Sequence, residues 1–270
     1  MTPPHQHVGV GVINFMFILV VREAKTEYTF FMDFPEFPLI SRRSIAEGTM
    51  EFTFCAEQSG MTFLAGQHAD YININQPVMD AEGNGRAFSF SSAPRKDGTF
   101  TVAMRLRNTA FKNWWRDMPL GTKVKFDGPR GDMVLPEDIR PVVFLSGGIG
   151  ITPFHSMIED VKNRKSSFPI TLFFSNRRQV DAPYYDDLVA WAKEVPSFTF
   201  VPTWTAEAPE GWDGERGYIN ADMIKRHVPN LVTPLFYLAG PTPMIQAMRK
   251  VLDSLGVKRD RIRQEEFTGY

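Results

Sequence analysis

PVVFLSGGIGITPFHSMIEDVKNR, residues 141–164, is the stretch on which the reading of this chain turns. Val142, Val143, Phe144 and Leu145 form an apolar, β-branched run that predicts a strand buried on both faces. Gly147, Gly148 and Gly150 follow at once, and glycine lets a backbone turn tightly and come close to a ligand. Thr152 falls where a helix N-cap is expected, Pro153 suits the first helical position, and Phe154, Met157, Ile158 and Val161 recur at helical spacing. A strand, a glycine turn and a capped helix make an anion site. The unpaired N–H groups and the positive end of the helix dipole both point into the turn and favour a phosphate or pyrophosphate. Gly148, Gly150 and Pro153 read as GxGxxP, one residue from the dinucleotide fingerprint. Any tight strand-to-helix connection recruits glycine, so the rest of the chain has to decide.

Downstream, the rhythm is regular. Strand-like runs at Val142–Leu145, Ile170–Phe174, Phe198–Thr203, Leu235–Ala239 and Arg261–Glu265 alternate with helical patterns at Pro153–Arg164, Pro183–Glu194, Ala221–His227 and Pro243–Leu255. That alternation predicts an α/β domain, a five-stranded parallel, doubly wound sheet with helices on both faces. Upstream, from Leu39 to about Leu135, short strands dominate: Met50–Cys55, His68–Asn75, Ala87–Ser91, Phe100–Leu106 and Lys123–Phe126, with one helix at Ala110–Asp117. Turns at Glu47-Gly48, Ser59-Gly60, Glu82–Gly85, Lys96–Gly98 and Leu120-Gly121 separate them, which predicts a small antiparallel β-barrel. The expected division is an N-terminal extension over 1–36, an all-β domain over 37–136 and the α/β domain over 137–270.

Length and composition exclude several classes. At 270 residues, with 43% hydrophobic and 23% charged, the chain has the composition of a soluble globular protein of two domains. Lys and Arg total 30 against 31 Asp and Glu, so no field draws it to nucleic acid. Cys55 is the single cysteine, which rules out an intrachain disulfide, suits a reducing, cytoplasmic home, and leaves no ligand set for an intrachain iron–sulfur cluster. Of the five histidines only His5 and His7 are closely spaced, and no metal site is expected. Val8–Val21 is apolar, but as a helix it would span roughly 21 Å, short of a bilayer. A β-rich segment packed on the body, or a disordered leader, is expected there in preference to a membrane anchor or signal peptide.

Four stretches then converge: Arg86-Ala87-Phe88-Ser89 on a barrel strand, Gly147–Pro153, Ala239-Gly240-Pro241-Thr242-Pro243-Met244 after the fourth parallel strand, and Glu265-Glu266-Phe267-Thr268-Gly269-Tyr270 at the end. Ala65-Gly66-Gln67, Gly128–Gly131 and Ser175–Arg178 agree with them. In this order and spacing they resemble the ferredoxin-NADP reductase superfamily of flavoproteins, over roughly Leu39–Tyr270. The resemblance implies a Greek-key flavin barrel and an NAD(P)-binding domain, with FAD and NADP (or NAD) as cofactors. It implies that Arg86 pairs with the flavin pyrophosphate, a role suited to a planar, always-charged guanidinium. Phe88 stands in place of the family's usual tyrosine, and the resemblance implies that it stacks on the flavin ring, that Ser89 bonds near the reactive nitrogen and that Thr109 contacts a flavin phosphate. Gly147, Gly148, Gly150 and Thr152 then receive the nicotinamide dinucleotide pyrophosphate, with Gly240 and Pro241 at the nicotinamide. Ala239 replaces the family's common cysteine.

Arg177 and Arg178 follow the second parallel strand, where arginine favours a 2′-phosphate and an acid favours the ribose hydroxyls, so NADPH is expected ahead of NADH. The tail resembles family tails that reach back to the flavin, which implies that Phe267 or Tyr270 covers the ring and that Glu265 or Glu266 moves protons. Ser89, Glu266 and Phe267 are the residues expected at the chemistry. The activity implied is hydride transfer from NAD(P)H to FAD and single-electron delivery to a separate acceptor, first a ferredoxin or flavodoxin. Arg105, Arg107, Lys112, Arg116, Lys123 and Lys125 are the candidate docking face for such an acidic carrier. The alternatives are a reductase of free flavin, quinone or ferric compounds, and a non-catalytic flavin-binding or membrane-associated subunit.

Overall fold

The computed structural model describes residues 8–13, 16–23, 26–31, 34–57 and 59–267. The chain separates into two compact units, Met1–Pro35 and Glu36–Tyr270. In the first, β1 (Val8–Ile13), β2 (Met16–Glu23) and β3 (Thr26–Phe31) form an antiparallel sheet in that order. The apolar run Val8–Val21 is thus two paired strands, Val8 opposite Val21. Among the described residues no helix is long and apolar enough to cross a membrane. His5 and His7 lie outside the described residues.

The second unit begins with a six-stranded antiparallel sheet. β4 (Glu36–Ala46), β5 (Thr49–Cys55), β6 (His68–Asn73), β7 (Gly85–Ser89), β8 (Thr99–Arg105) and β9 (Lys123–Arg130) pair in the order β7-β6-β9-β4-β5-β8. A bridge from Phe90 to Val102 closes it into a barrel. Strand β6 shows why the pattern folds: Ala69, Tyr71 and Asn73 point inward while the residues between them do not. The interior is aromatic, with Phe52, Phe54, Tyr71, Phe90, Phe100 and Phe126 essentially inaccessible. Helix α1 (Ala110–Asp117) closes one end with Phe111 and Trp115, and the indole of Trp115 donates to Asn73 Oδ1 at 2.6 Å. β4 escapes the pattern expected of barrel strands. Over Ser41–Ser44 it is polar on both faces, so its alternation is confined to Phe37 and Leu39.

The α/β part contains β10 (Val142–Gly147), α2 (Thr152–Asn163), β11 (Ile170–Asn176), α3 (Tyr185–Glu194), β12 (Phe198–Trp204), α4 (Ala221–His227), β13 (Leu235–Pro241), α5 (Thr242–Ser254) and β14 (Ile262–Phe267). All five strands are parallel, in the order β12-β11-β10-β13-β14. Every residue of β10 is buried because both faces of the sheet are covered. Phe144, Leu172, Phe174 and Tyr237 pack under α2 and α3, whereas Val143, Leu145, Phe173 and Leu238 pack under α4 and α5. The winding reverses between β10 and β13. A crevice opens beyond their carboxyl ends at such a reversal, and the two glycine loops lie there.

One local expectation fails. Gly148–Ile151 winds as a 3-10 turn, so Thr152 is already helical and Ile151 takes the cap position. The Thr152 hydroxyl donates to Ile149 O at 3.1 Å and caps no backbone N–H. Gly148 enters the turn with φ of 55°, and at Gly150 a Cβ would lie 2.2 Å from Ala239 O, so the two loops touch through a glycine.

The barrel and the sheet are joined by α2. Ser91 O lies 2.5 Å from His155 Nδ1, Ser156 Oγ donates to Ser92 O at 2.7 Å, and Ala93 N donates to Glu159 Oε2 at 2.6 Å. Arg178 adds an ion pair to Glu47 at 2.9 Å, and the Tyr184 hydroxyl donates to Glu51 Oε2 at 2.9 Å.

Candidate functional site

Two clefts meet at the junction of barrel and sheet. The first, about 660 Å³, runs along β7, where Arg86, Phe88 and Ser89 line it, and is bounded by Thr109 and Lys112 of the α1 end. Ile149 and Thr152 from the glycine turn, and Glu265, Glu266 and Phe267 from β14, complete its wall. The second, about 700 Å³, lies over the crevice and is lined by Gly147, Gly148, Asn176, Arg177, Tyr218 and Pro241. Ile149 and Arg105 line both. A ligand in one therefore sits beside a ligand in the other.

Strand β7 lies along the first cleft, with Gly85 to Ser89 all on its wall. The Phe88 ring packs 5.3 Å from Trp115 and 5.8 Å from Phe111, which backs it with a rigid aromatic layer. Ser89 is 3% exposed, and its hydroxyl has no hydrogen-bond partner. A buried hydroxyl without a partner at a cleft wall fits a polar ligand atom there. Arg86 is held by its own neighbourhood: Nη2 reaches Asp80 Oδ1 at 3.0 Å and Glu82 Oε2 at 2.9 Å, and the guanidinium lies over the Phe111 ring. Thr109 caps α1, its hydroxyl accepting from Lys112 N. Burial, then Arg107 and Arg86, lowers the pKa of Lys112.

At the far wall Glu265 and Glu266 differ. Glu266 is exposed, whereas burial, with Asp132 second, pushes Glu265 up to about 7. His68 Nδ1 faces Glu265 Oε1 at 3.3 Å, and burial lowers the histidine. His68 Nδ1 and Glu265 Oε2 are buried polar atoms without hydrogen-bond partners. The cleft accordingly holds an acid that titrates near neutrality beside a neutral imidazole.

The second cleft carries the marks of a nucleotide site. Gly148 N donates to Asn176 Oδ1 at 3.2 Å, and the Asn176 Nδ2 is buried and unpartnered. Gly240 and Gly150 lie beneath the lining, at the contact between the loops. Arg177 is exposed on the rim, whereas Arg178 does not line the cleft and is held by Asp181 on its wall. It pairs with Asp181 at 2.8 Å and with Glu47, and its guanidinium holds Asp181 below the usual carboxylate range.

Tyr270 lies outside the described residues. The structure adds His68, Arg105 and Lys112 to the site. The two cations belong to the six considered as a docking face, of which Arg105 and Lys112 line the first cleft, Arg107 lines the second, Arg116 pairs with Asp117, and Lys123 and Lys125 sit on β9. Only the closed barrel shows that β8 ends at the cleft.

Residues 144–250 match the oxidoreductase NAD-binding domain family. The chain is 27% identical over 209 residues to the anthranilate 1,2-dioxygenase electron transfer component of Acinetobacter baylyi, covering 77% of this chain and 59% of that one. It is 27% identical over 228 residues to the toluate 1,2-dioxygenase electron transfer component of Pseudomonas putida, covering 83% of this chain and 65% of the relative. The chain thus spans about three fifths of the length of these relatives. Among solved structures, the FAD/NAD-binding domain of nitric oxide dioxygenase from Vibrio cholerae superposes with a TM-score of 0.75 at 19% identity, over 87% of this chain and 99% of that one. With a closed antiparallel barrel, a reversed parallel sheet and its motifs gathered at their junction, this chain carries an oxidoreductase NAD-binding domain and resembles the ferredoxin-NADP reductase superfamily in fold.

Proposed function

We propose that this chain is an NAD(P)H-dependent flavoprotein reductase that passes electrons to a separate acceptor. The observation that carries the reading is the pair of adjoining clefts sharing Ile149 and Arg105, one edged by the orphaned Ser89 hydroxyl and the other by the glycine turn. FAD, when bound, supplies a centre that accepts two electrons as a hydride and gives them up singly. The protein's part is positional. Phe88 and its aromatic backing offer a flat wall for a ring system, and Ser89 offers a hydrogen bond at that ring's edge. The Gly147–Thr152 turn and α2 direct N–H groups at a pyrophosphate. Glu265 holds or releases a proton near neutral pH, and Phe267 covers the cleft at the β14 end.

Arg177 at the rim, with Asp181 neutralised by Arg178, supports NADPH ahead of NADH. The two relatives named as electron transfer components support an external acceptor, for which a small acidic carrier such as ferredoxin or flavodoxin is the first choice. Anaerobic titration of the FAD-loaded protein with NADPH tests the reading. Stoichiometric bleaching near 450 nm is the expected result. A protein that takes up neither FAD nor FMN, or that stays yellow under excess NADPH and NADH, sinks it.

A further inference from the structure

The site that would hold the flavin phosphates already contains an anion of the protein's own. Asp80 lies in the loop between β6 and β7. Its Oδ1 takes Arg86 Nη2 at 3.0 Å, and its Oδ2 accepts Ala110 N, the first N–H of α1, at 3.1 Å. One carboxylate thereby bridges the guanidinium and the helix N-terminus, the two donors an incoming phosphate would use. Glu82 approaches the same Nη2 at 2.9 Å from the cleft side, and the carbonyls of Glu82, Gly83 and Gly85 take Nη1 at 3.0, 3.1 and 2.6 Å. Both Nη atoms of Arg86 are engaged before any ligand arrives.

From this geometry, and resting on the flavin reading above, we infer that Asp80 competes with the flavin phosphates for Arg86 and the α1 N-terminus, so that the protein holds its flavin cofactor loosely enough to exchange. A phosphate entering the site must displace the carboxylate and remain near it, and two like charges sharing donors repel. Phosphate contacts then add little net affinity, and binding rests on the ring, its aromatic backing and Ser89. FAD, FMN and riboflavin are accepted with similar affinity. A role in which Asp80 merely orients Arg86 is the opposite case. An orienting residue leaves the ligand's donors open, whereas Asp80 occupies both.

Equilibrium binding of FAD, FMN and riboflavin to the full chain, read by flavin fluorescence, tests this in wild type and Asp80→Asn. The expected result is that the three flavins bind wild type within about fivefold of one another. Asp80→Asn should tighten FAD and FMN about tenfold, the low end for a charge-assisted hydrogen bond, and leave riboflavin unchanged. Wild type should lose FAD on gel filtration and Asp80→Asn retain it. The gain should vanish in an Arg86→Ala background, which a change in loop stability alone would not produce. FAD binding that is unchanged or weakened in Asp80→Asn, or a shift shared by riboflavin, overturns the competition and leaves the flavin site standing. Absence of flavin binding in both proteins removes the site and the competition together.

Discussion

Glu265 shows how far a single side chain departs from its solution behaviour once the chain folds. Burial raises its pKa from the usual carboxylate value to about 7, with Asp132 adding a like charge. Between the two values the unfolded chain has lost the proton and the native state keeps it, so native stability falls as pH rises through that window and levels above it. Glu265→Gln removes the ionisation. It should match wild type in denaturant melts at pH 4 and exceed it at pH 8 by on the order of 2 kcal/mol. Equal midpoints at both pH values would mean the carboxyl is not buried as described. Ser89 makes a complementary case, because an unpartnered buried hydroxyl destabilises a protein that holds no ligand. Ser89→Ala should gain up to about 1 kcal/mol in urea unfolding of the flavin-free protein and slow flavin reduction about tenfold in stopped flow. A loss of stability would show that Ser89 bonds within the protein.

At the level of elements, the β10–α2 connection is the most constrained piece of backbone. Gly150 has no room for a methyl group against Ala239 O, so Gly150→Ala must push the two loops of the crevice apart. It should cost about 2 kcal/mol or more and abolish pyridine-nucleotide binding while FAD still binds. Nucleotide affinity within about twofold of wild type would contradict the close approach. The connection was legible in the sequence because glycine and proline report local geometry directly. The N-cap was not: a 3-10 turn draws four residues into helical winding, and nothing in residues 148–151 distinguishes that from a loop. α1 was readable to its ends, since Thr109 supplies a side-chain cap and its apolar residues recur at helical spacing. β4 was unreadable because its outer half is polar on both faces.

Across the whole molecule, contacts between barrel and sheet decide which charges serve the clefts. Arg177 and Arg178 are adjacent in sequence and equivalent by composition, yet Arg178 is captured by Asp181 and by Glu47 of the β4–β5 turn while Arg177 stays on the nucleotide cleft. Arg177→Ala should lower kcat/KM for NADPH about tenfold relative to NADH, and Arg178→Ala should leave the ratio within about twofold. Equal effects of the two substitutions would refute the division. The sequence by itself determined the alternation of strands and helices, the glycine turn, the aromatic strand with Arg86 and the likeness to a two-domain flavoprotein. Those features depend on periodicity and residue type within a few positions. Tertiary structure alone decided that Arg105 borders both clefts, that Arg178 is withdrawn to a partner 131 residues away, and that Glu265 titrates near neutrality. The physical reason is that charge pairing and desolvation are set by distances in space, which residue order does not encode locally.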